Sequence, residues 1–252
     1  MRQQWQEKEQ KRNWLVLPYD VIANILYRVG VYDILENAQK VCTTWHKICK
    51  DPAMWRVINM ENNFEDVNRN ERSLMQEMCK HVVDRSQGQL IDITVCDFVN
   101  KELLEYIADR SSQLRRLDHW HFAMWAESLK KFPLLEELSL YVTYISHKVI
   151  VAAGCFCPML TTLKINYDLV WHCGDGIATA IGENLPQLKH LQLIGHIMLN
   201  NRLQAILDGC PKLELLDLRQ CLCINLNGEF VKKSLEKIKC VKLPHESLQG
   251  CL

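Results

Sequence analysis

The chain has no excess of charge of either sign. Thirty lysines and arginines (30) balance 30 aspartates and glutamates, and the isoelectric point lies near 7.1. A basic nucleic-acid footprint and an acidic tail are both absent. Long apolar runs are absent too: Val149 to Phe156 is the longest, far short of the roughly 18 residues a membrane helix needs. The amino terminus is polar and charged, so no secretory signal is expected. Arg2, Lys8, Lys11 and Arg12 alternate with Glu7 and Glu9, unlike an acid-poor transit peptide. The chain is therefore expected in the cytoplasm, the nucleus or both, with no nucleic-acid or membrane partner.

Catalytic signatures are equally scarce. No Ser-His-Asp or Cys-His arrangement stands out, and no Walker-type glycine loop is present. Gly174-Asp175-Gly176 reads as a turn before a helix. Cysteine is the exception to this scarcity, with 12 residues spread evenly. At about 5% it stays below the 8–10% of a disulfide scaffold, and in a reducing compartment these are free thiols. Cys155-x-Cys157 and Cys221-x-Cys223 lack the second Cys/His pair that a zinc site needs. His172-Cys173 and His119-x-His121 are isolated in the same way. No cofactor and no metal is expected, and small buried thiols account for the cysteines.

What is present falls into two parts. In the first, Val21, Ile22, Ile25, Leu26 and Val29 recur at helical spacing and predict one apolar face. Pro18 sits where a first helical turn tolerates proline, and Gly30 where a helix ends. A second short helix is expected over 33–39, with Ile34, Leu35 and Ala38 inward. A third is expected over 43–50, with Trp45, Ile48 and Cys49 inward, and Pro52 stops it. About 40 residues bury too small a core to stand alone, so these helices need a neighbouring domain or a partner.

The second part is a repeat. Leu90-x-x-Ile93-x-Val95 is followed by Leu114-x-x-Leu117 and by Leu135-x-x-Leu138-x-Leu140. Leu160-x-x-Leu163-x-Ile165, Leu188-x-x-Leu191-x-Leu193 and Leu213-x-x-Leu216-x-Leu218 continue it, and Leu235-x-x-Ile238-x-Cys240 is a degenerate seventh copy. Successive anchors are 24, 21, 25, 28, 25 and 22 residues apart, mostly inside the leucine-rich-repeat window of roughly 20–29. Proline opens four copies, at Pro133, Pro158, Pro186 and Pro211, where it ends the preceding helix and extends the chain into the strand. The alternation within each copy predicts a short strand, and the segment after it a helix. One strand and one helix cannot bury their faces alone, so stacked copies share a core. Residues beside the inward leucines then face the concave wall: Arg116, Asp118 and Trp120; Glu137, Ser139 and Tyr141; Thr162, Lys164 and Asn166; His190, Gln192 and Ile194; Leu215, Asp217 and Arg219. His119 takes an inward position in the short second copy. Trp55 to Met60 reads as a strand that starts the array. Leu74, Met75, Met78, Cys79, Val82 and Val83 form the stripe of a helix covering its open end.

The order Leu17-Pro18-Tyr19-Asp20-Val21-Ile22, then Val41-Cys42-Thr43-Thr44-Trp45-His46, then Met54-Trp55 resembles an F-box, the helical module by which ubiquitin-ligase receptors grip their adaptor. With the repeats, and with phrases such as Val83-Asp84-Arg85-Ser86-Gln87-Gly88 and Lys131-Phe132-Pro133-Leu134-Leu135-Glu136, the chain resembles plant F-box proteins with short leucine-rich-repeat tails. That resemblance implies an α/β fold: an N-terminal three-helix F-box at 14–56 after a leader at 1–13, a connecting strand and capping helix at 57–86, and a leucine-rich-repeat solenoid at 87–252 with about seven copies. It implies a non-catalytic substrate receptor of an SCF-type cullin–RING ubiquitin ligase. A Skp-type adaptor, and through it cullin, would bind the F-box, and a target protein would bind the repeats and be marked for proteasomal degradation. Leu17, Pro18, Ile25, Leu26, Leu35, Val41, Cys42 and Trp45 fall on adaptor-facing or supporting positions, with Leu17 and Pro18 as direct contacts and Trp45 as an internal buttress. Leu218-Arg219-Gln220-Cys221 resembles the cysteine-containing repeat subtype, with Cys221 inward. Periodicity and residue type point to Trp120, Tyr141, Lys164 and Arg219 on the target-binding wall. The alternative is an F-box scaffold or a truncated paralogue that binds the adaptor without delivering a substrate, since the sequence ends soon after a degenerate repeat.

Elemental analysis of the reduced protein should find no stoichiometric zinc; one zinc per chain would show that the cysteine pairs do ligate.

Overall fold

A computed structural model describes residues 17–61, 69–96, 98–120, 126–142, 145–167, 176–225 and 233–248, with the backbone alone at Arg69, Asn70, His119, Trp120 and Val142. Three short helices come first: α1 (Tyr19–Val29), α2 (Val31–Glu36) and α3 (Thr43–Cys49). Two 3-10 turns, Ala38–Lys40 and Pro52–Trp55, flank α3. Gly30 separates α1 from α2 at φ 93° and ψ 156°, a conformation that only glycine takes without strain. It ends one helix and starts the next, and no left-handed cap is formed. Cys42 caps α3, its sulfur accepting from the Trp45 amide at 3.5 Å.

The rest of the chain is one parallel eight-stranded sheet in the order β1 to β8. Its strands are β1 (Val57–Asn59), β2 (Asp92–Val95), β3 (Arg116–Trp120), β4 (Glu137–Val142), β5 (Thr162–Tyr167), β6 (His190–Ile194), β7 (Leu215–Asp217) and β8 (Cys240–Lys242). Outside it lie α4 (Arg69–Arg85), α5 (Lys101–Arg110), α6 (His147–Phe156), α7 (Ile177–Asn184) and α8 (Asn200–Gly209), with a 3-10 turn, Ser128–Lys131, between β3 and β4. This is the α/β solenoid that the repeat predicts. Ile58, Ile93, Leu117, Leu138, Leu163, Leu191 and Leu216 stand in one register row and are all essentially inaccessible.

Two expectations change. Val241, not Ile238, pairs with Leu216, so the last copy reads Ile238-x-x-Val241-x-Leu243, three residues later than its apolar spacing predicts. Leu74 is exposed while Met75, Met78, Cys79, Val82 and Val83 are buried, because the inward stripe of α4 is narrower than its apolar composition. The prolines act within a turn. Leu135 donates to Phe132, Leu160 to Cys157, Leu188 to Leu185 and Leu213 to Cys210. Each proline is the second residue of that four-residue turn, where its fixed φ is pre-set. The thiols join the same device. Cys157 Sγ donates to the Leu129 carbonyl, Cys210 Sγ to Leu185 and Cys221 Sγ to Leu193. Burial pushes the Cys79, Cys157 and Cys221 thiols up to about 12 and Cys210 to about 11, which keeps them protonated.

On the outer wall, helices approach through glycine. A Cβ at Gly154 would run into the Asn184 carbonyl, one at Gly182 into that of Ala205, and one at Gly209 into that of Gly182. These glycines are therefore required by backbone contact between α6, α7 and α8.

His196, just past β6, is buried. Its Nε2–H donates to the Ile165 carbonyl at 3.0 Å, and its ring meets Tyr167 edge-on at 4.4 Å. Burial brings its pKa down from 6.5 to about 4, although the Ile165 bond opposes this. The unfolded chain thus takes up this proton first. Stability from neutral His196 is full above the free value of 6.5 and is lost as pH falls towards about 4, a loss of up to roughly 3 kcal/mol. Urea unfolding of wild type and His196→Gln at several pH values in that window should show this slope in wild type and its loss in the variant.

Candidate functional sites

The first site is the helical module. Ile22, Leu26, Ile34, Leu35, Ala38, Ile48 and Cys49 make its interior, at positions that pair i with i+4 along α1 and i with i+1 across the short α2 and α3. Leu26 and Leu35 therefore support the module and do not face outward. Leu17 is half-buried against the core, Ile25, Cys42 and Trp45 are half-buried, and Pro18 is exposed. Val41 is 63% exposed. Trp45 packs against the core but is only half-buried; the fully buried tryptophan is Trp55, at 2% exposure, its indole N–H donating to the Cys49 carbonyl at 2.9 Å. The difference follows from position: Trp45 lies one turn before the buried Ile48–Cys49 pair and closer to the rim.

Sequence periodicity put Val21 and Val29 on the apolar face of α1, and both are exposed, as are Tyr19, Tyr27 and Tyr32. Among the described residues, six of the thirteen large apolar side chains left exposed lie in this module between Tyr19 and Val41. The signal was available for Val21, which stands one residue off the Ile22–Leu26 pair on the helical wheel; Val29 shares the Ile22 face but is the last residue of α1.

The junction between module and solenoid is built on Arg85, the last residue of α4. Its Nη1 donates to the Cys49 carbonyl at 3.1 Å and its Nη2 to Gln39 Oε1 at 2.9 Å. Its guanidinium lies 5.6 Å from the centre of the Trp55 ring. Gln39 in turn donates to the Leu35 carbonyl. Helices α2, α3 and α4 are thereby tied at one point, which fixes the angle at which the module leaves the solenoid. Periodicity did not show the role of Arg85, because its partners lie 36 and 46 residues away.

The second site is the inner face of the sheet. Lys164 and Tyr141 are half-buried on it, Lys164 paired with Glu137 at 2.5 Å and Tyr141 hydrogen-bonded to Asn166. Gln192 donates to Asn166 at 3.0 Å, and Arg116 pairs with Asp92 at 2.6 Å. Trp120 is a register partner of Tyr141; its side chain, like that of His119, lies outside the described residues. Arg219 is not on the open wall. It is 2% exposed, it grips Asp217 at 2.9 and 2.6 Å, and it donates to the Ser247 carbonyl at 2.9 Å. Strand β7 ends at Asp217, and the turn after β8 closes over the guanidinium. Ser139, Asn166, Ile194 and Asp217 are buried as well. The accessible face is consequently the stretch from Arg116 to Gln192.

Asp118 is the perturbed group of this face. Burial is the largest cause; Lys164 opposes it, and Glu137, Glu61 and Asp92 add to it, so that its carboxyl is pushed up to about 7. Burial, with Asp118 next, also raises the Tyr141 phenol. Among the described residues no group of three His, Cys, Asp or Glu is placed to hold a metal ion, and no helix is long and apolar enough to cross a membrane.

A small helical module with an exposed apolar face, tied rigidly to a leucine-rich-repeat solenoid, defines a class of modular interaction protein. Comparison with known proteins agrees. Residues 14–61 match the F-box-like family model, and residues 147–249 match the leucine-rich repeats of the FBD-associated F-box protein At5g56370 type. Three relatives from Arabidopsis thaliana cover almost the whole chain. F-box/LRR-repeat protein 23 is 44% identical over 94% of this chain and 54% of its own length. F-box protein SKIP19 is 42% identical over 96% of this chain and 80% of its own, and F-box/LRR-repeat protein 9 is 43% identical over 88% and 93%. The chain spans about half the length of the first of these and most of the other two. It belongs to the plant F-box/leucine-rich-repeat family.

Removing the Arg85 side chain should loosen this junction. Arg85→Ala is expected to lower stability by roughly 2 kcal/mol through loss of two hydrogen bonds to a charged donor. Arg85→Lys should recover little, since an ammonium cannot span both acceptors and stack on Trp55. Urea unfolding measures both, and wild-type stability in Arg85→Ala would remove the junction's assigned role.

Proposed function

We propose that this chain is the substrate-holding subunit of an SCF-type cullin–RING ubiquitin ligase. Its F-box binds a Skp-type adaptor, and the inner wall of its solenoid binds a target protein. The observation that carries the first half is the concentration of exposed apolar side chains on a module too small to stand alone. Leu17, Pro18, Val21, Ile25 and Val41 are the proposed contacts, with Cys42 and Trp45 beside them and Leu26 and Leu35 beneath. Family membership supports the same partner. Tyr141 and Lys164 are the proposed target contacts, with Trp120 at the neighbouring register position, because aromatic residues on an open sheet face are the residue types that anchor interfaces.

In this reading no side chain acts as acid, base or nucleophile. The contribution is proximity: a target lysine held near a charged ubiquitin-conjugating enzyme reacts at high effective concentration. The Arg85 junction matters here because a fixed angle between F-box and solenoid sets where the target is held. The proposed setting is the cytoplasm, the nucleus or both.

Pull-down of the full chain with a Skp-type adaptor should be lost in the Leu17→Ala and Pro18→Ala double variant, by about 30-fold or more. Tyr141→Ala with Lys164→Ala should leave adaptor binding intact and reduce recovery of the target when proteasome and cullin activity are blocked. Adaptor binding at wild-type strength in the folded F-box variant would overturn the assignment. Adaptor binding with no target recovered by wild type would favour a scaffold.

A further inference from the structure

Two aspartates share one row of the inner wall. Asp118, Ser139, Lys164, Gln192, Asp217 and Lys242 are register partners from β3 to β8. The chain supplies one of them with cations and not the other. Asp217 is buried, but Arg219 bonds both its oxygens and Lys242 stands 3.5 Å away. Burial works against its ionisation, and Arg219 and Lys242 together more than offset this, so its carboxyl stays below the usual range.

Asp118 has no such complement. Lys164 is turned to Glu137 at 2.5 Å, and Arg116 to Asp92 at 2.6 Å. Asp118 Oδ1 is buried with no hydrogen-bond partner among the described residues. Such an atom is costly on an ionised carboxylate, whose charge is shared over both oxygens. The described titratable groups around it are Glu61 after β1, Asp92 on β2, Arg116 on β3, Glu137 and Tyr141 on β4, and Lys164 on β5. Both bases in that set are already paired with acids, so Lys164 offsets only part of what burial, Glu137, Glu61 and Asp92 do to Asp118. The residue as a whole is half-buried and not sealed, so a group from outside approaches it at its accessible part and not at the buried Oδ1.

We infer that the target supplies the missing cation: a lysine or arginine side chain of the bound protein seats against Asp118, between the Arg116–Asp92 and Lys164–Glu137 pairs. This rests on the reading of the inner wall as the target-holding surface and names the chemistry that surface selects. Charge complementarity is the ground for it, and the contrast with Asp217 shows the arrangement the chain adopts when it completes such a site internally. Seating the cation ionises Asp118, whose carboxyl otherwise lies near neutrality, so binding is coupled to release of a proton.

The test uses the full chain and a fluorescein-labelled peptide alternating glycine with arginine, beside matched peptides with serine or glutamate in place of arginine. Fluorescence anisotropy should show the arginine peptide binding about tenfold or more tighter than the serine peptide. Asp118→Asn, which keeps the shape and removes the charge, should abolish that preference, and Asp118→Ser provides a second uncharged variant. Glu136→Gln, an acid paired with Arg115 away from the row, should retain it. Wild-type affinity for the arginine peptide should rise between pH about 6 and about 8, and the Asn variant should be flat. Equal binding of serine and arginine peptides, or an unchanged preference in Asp118→Asn, overturns the inference. If that happens while Tyr141→Ala with Lys164→Ala still loses the target, the cation falls and the wall stands. If the wall variant also keeps its target, the wall reading itself fails.

Discussion

The Cys49 carbonyl is the point on which the two halves of this molecule depend. It accepts from the Trp55 indole and from Arg85, and so joins the end of the third helix, the turn leading into the first strand and the end of the first outer helix. A carbonyl at a helix end has no partner within the helix. Here that orphan acceptor takes one donor from the turn that follows the helix and one from the first outer helix. The three-helix module, which has too little interior to fold independently, thereby borrows its last wall from the solenoid. The arrangement also explains why Trp55 is the more deeply buried of the two tryptophans: it brings its N–H to a carbonyl that needs it.

Much of the architecture was legible because the repeat unit is short and its rules are local. The leucine rows, the parallel order of strands and the three helices all follow from periodicity. What escaped reading did so for identifiable reasons. In the last copy, Leu235-x-x-Ile238 and Ile238-x-x-Val241 fit the same template, and only pairing with Leu216 decides between them. Arg219 falls on the correct side of the alternation, but β7 is three residues long and the chain has left the wall before it. Leu74 and Val21 are apolar residues on the outer edges of amphipathic helices, where composition overstates burial. Tyr141 and Lys164 stand on the wall where alternation places them. Whether they are used in recognition is not written in periodicity, and the state of Asp118 depends on neighbours from four other strands or loops.

The inner wall is not uniform. Its middle is closed by short polar contacts such as Gln192 to Asn166, and its carboxyl end is closed by Asp217, Arg219 and the turn at Ser247. Among the described residues, Asp118 in the first half is the wall side chain with a buried oxygen lacking a hydrogen-bond partner. A surface of this kind discriminates by what it lacks as much as by what it offers, because a partner that leaves Asp118 unmatched incurs the cost of a buried carboxylate.

The glycines of the outer helices bear on the shape of that inner wall. Parallel strands lie about 4.8 Å apart, whereas packed helices ordinarily stand 8–10 Å apart, and the mismatch between these two spacings is what bends a solenoid. Where Gly154, Gly182 and Gly209 let backbone touch backbone, the outer spacing contracts while the inner one cannot. The radius of the arc therefore lengthens from α6 to α8. Three missing methyl groups on the convex side thus widen the aperture on the opposite side, and a change of span for a differently sized partner would need substitutions that never touch it.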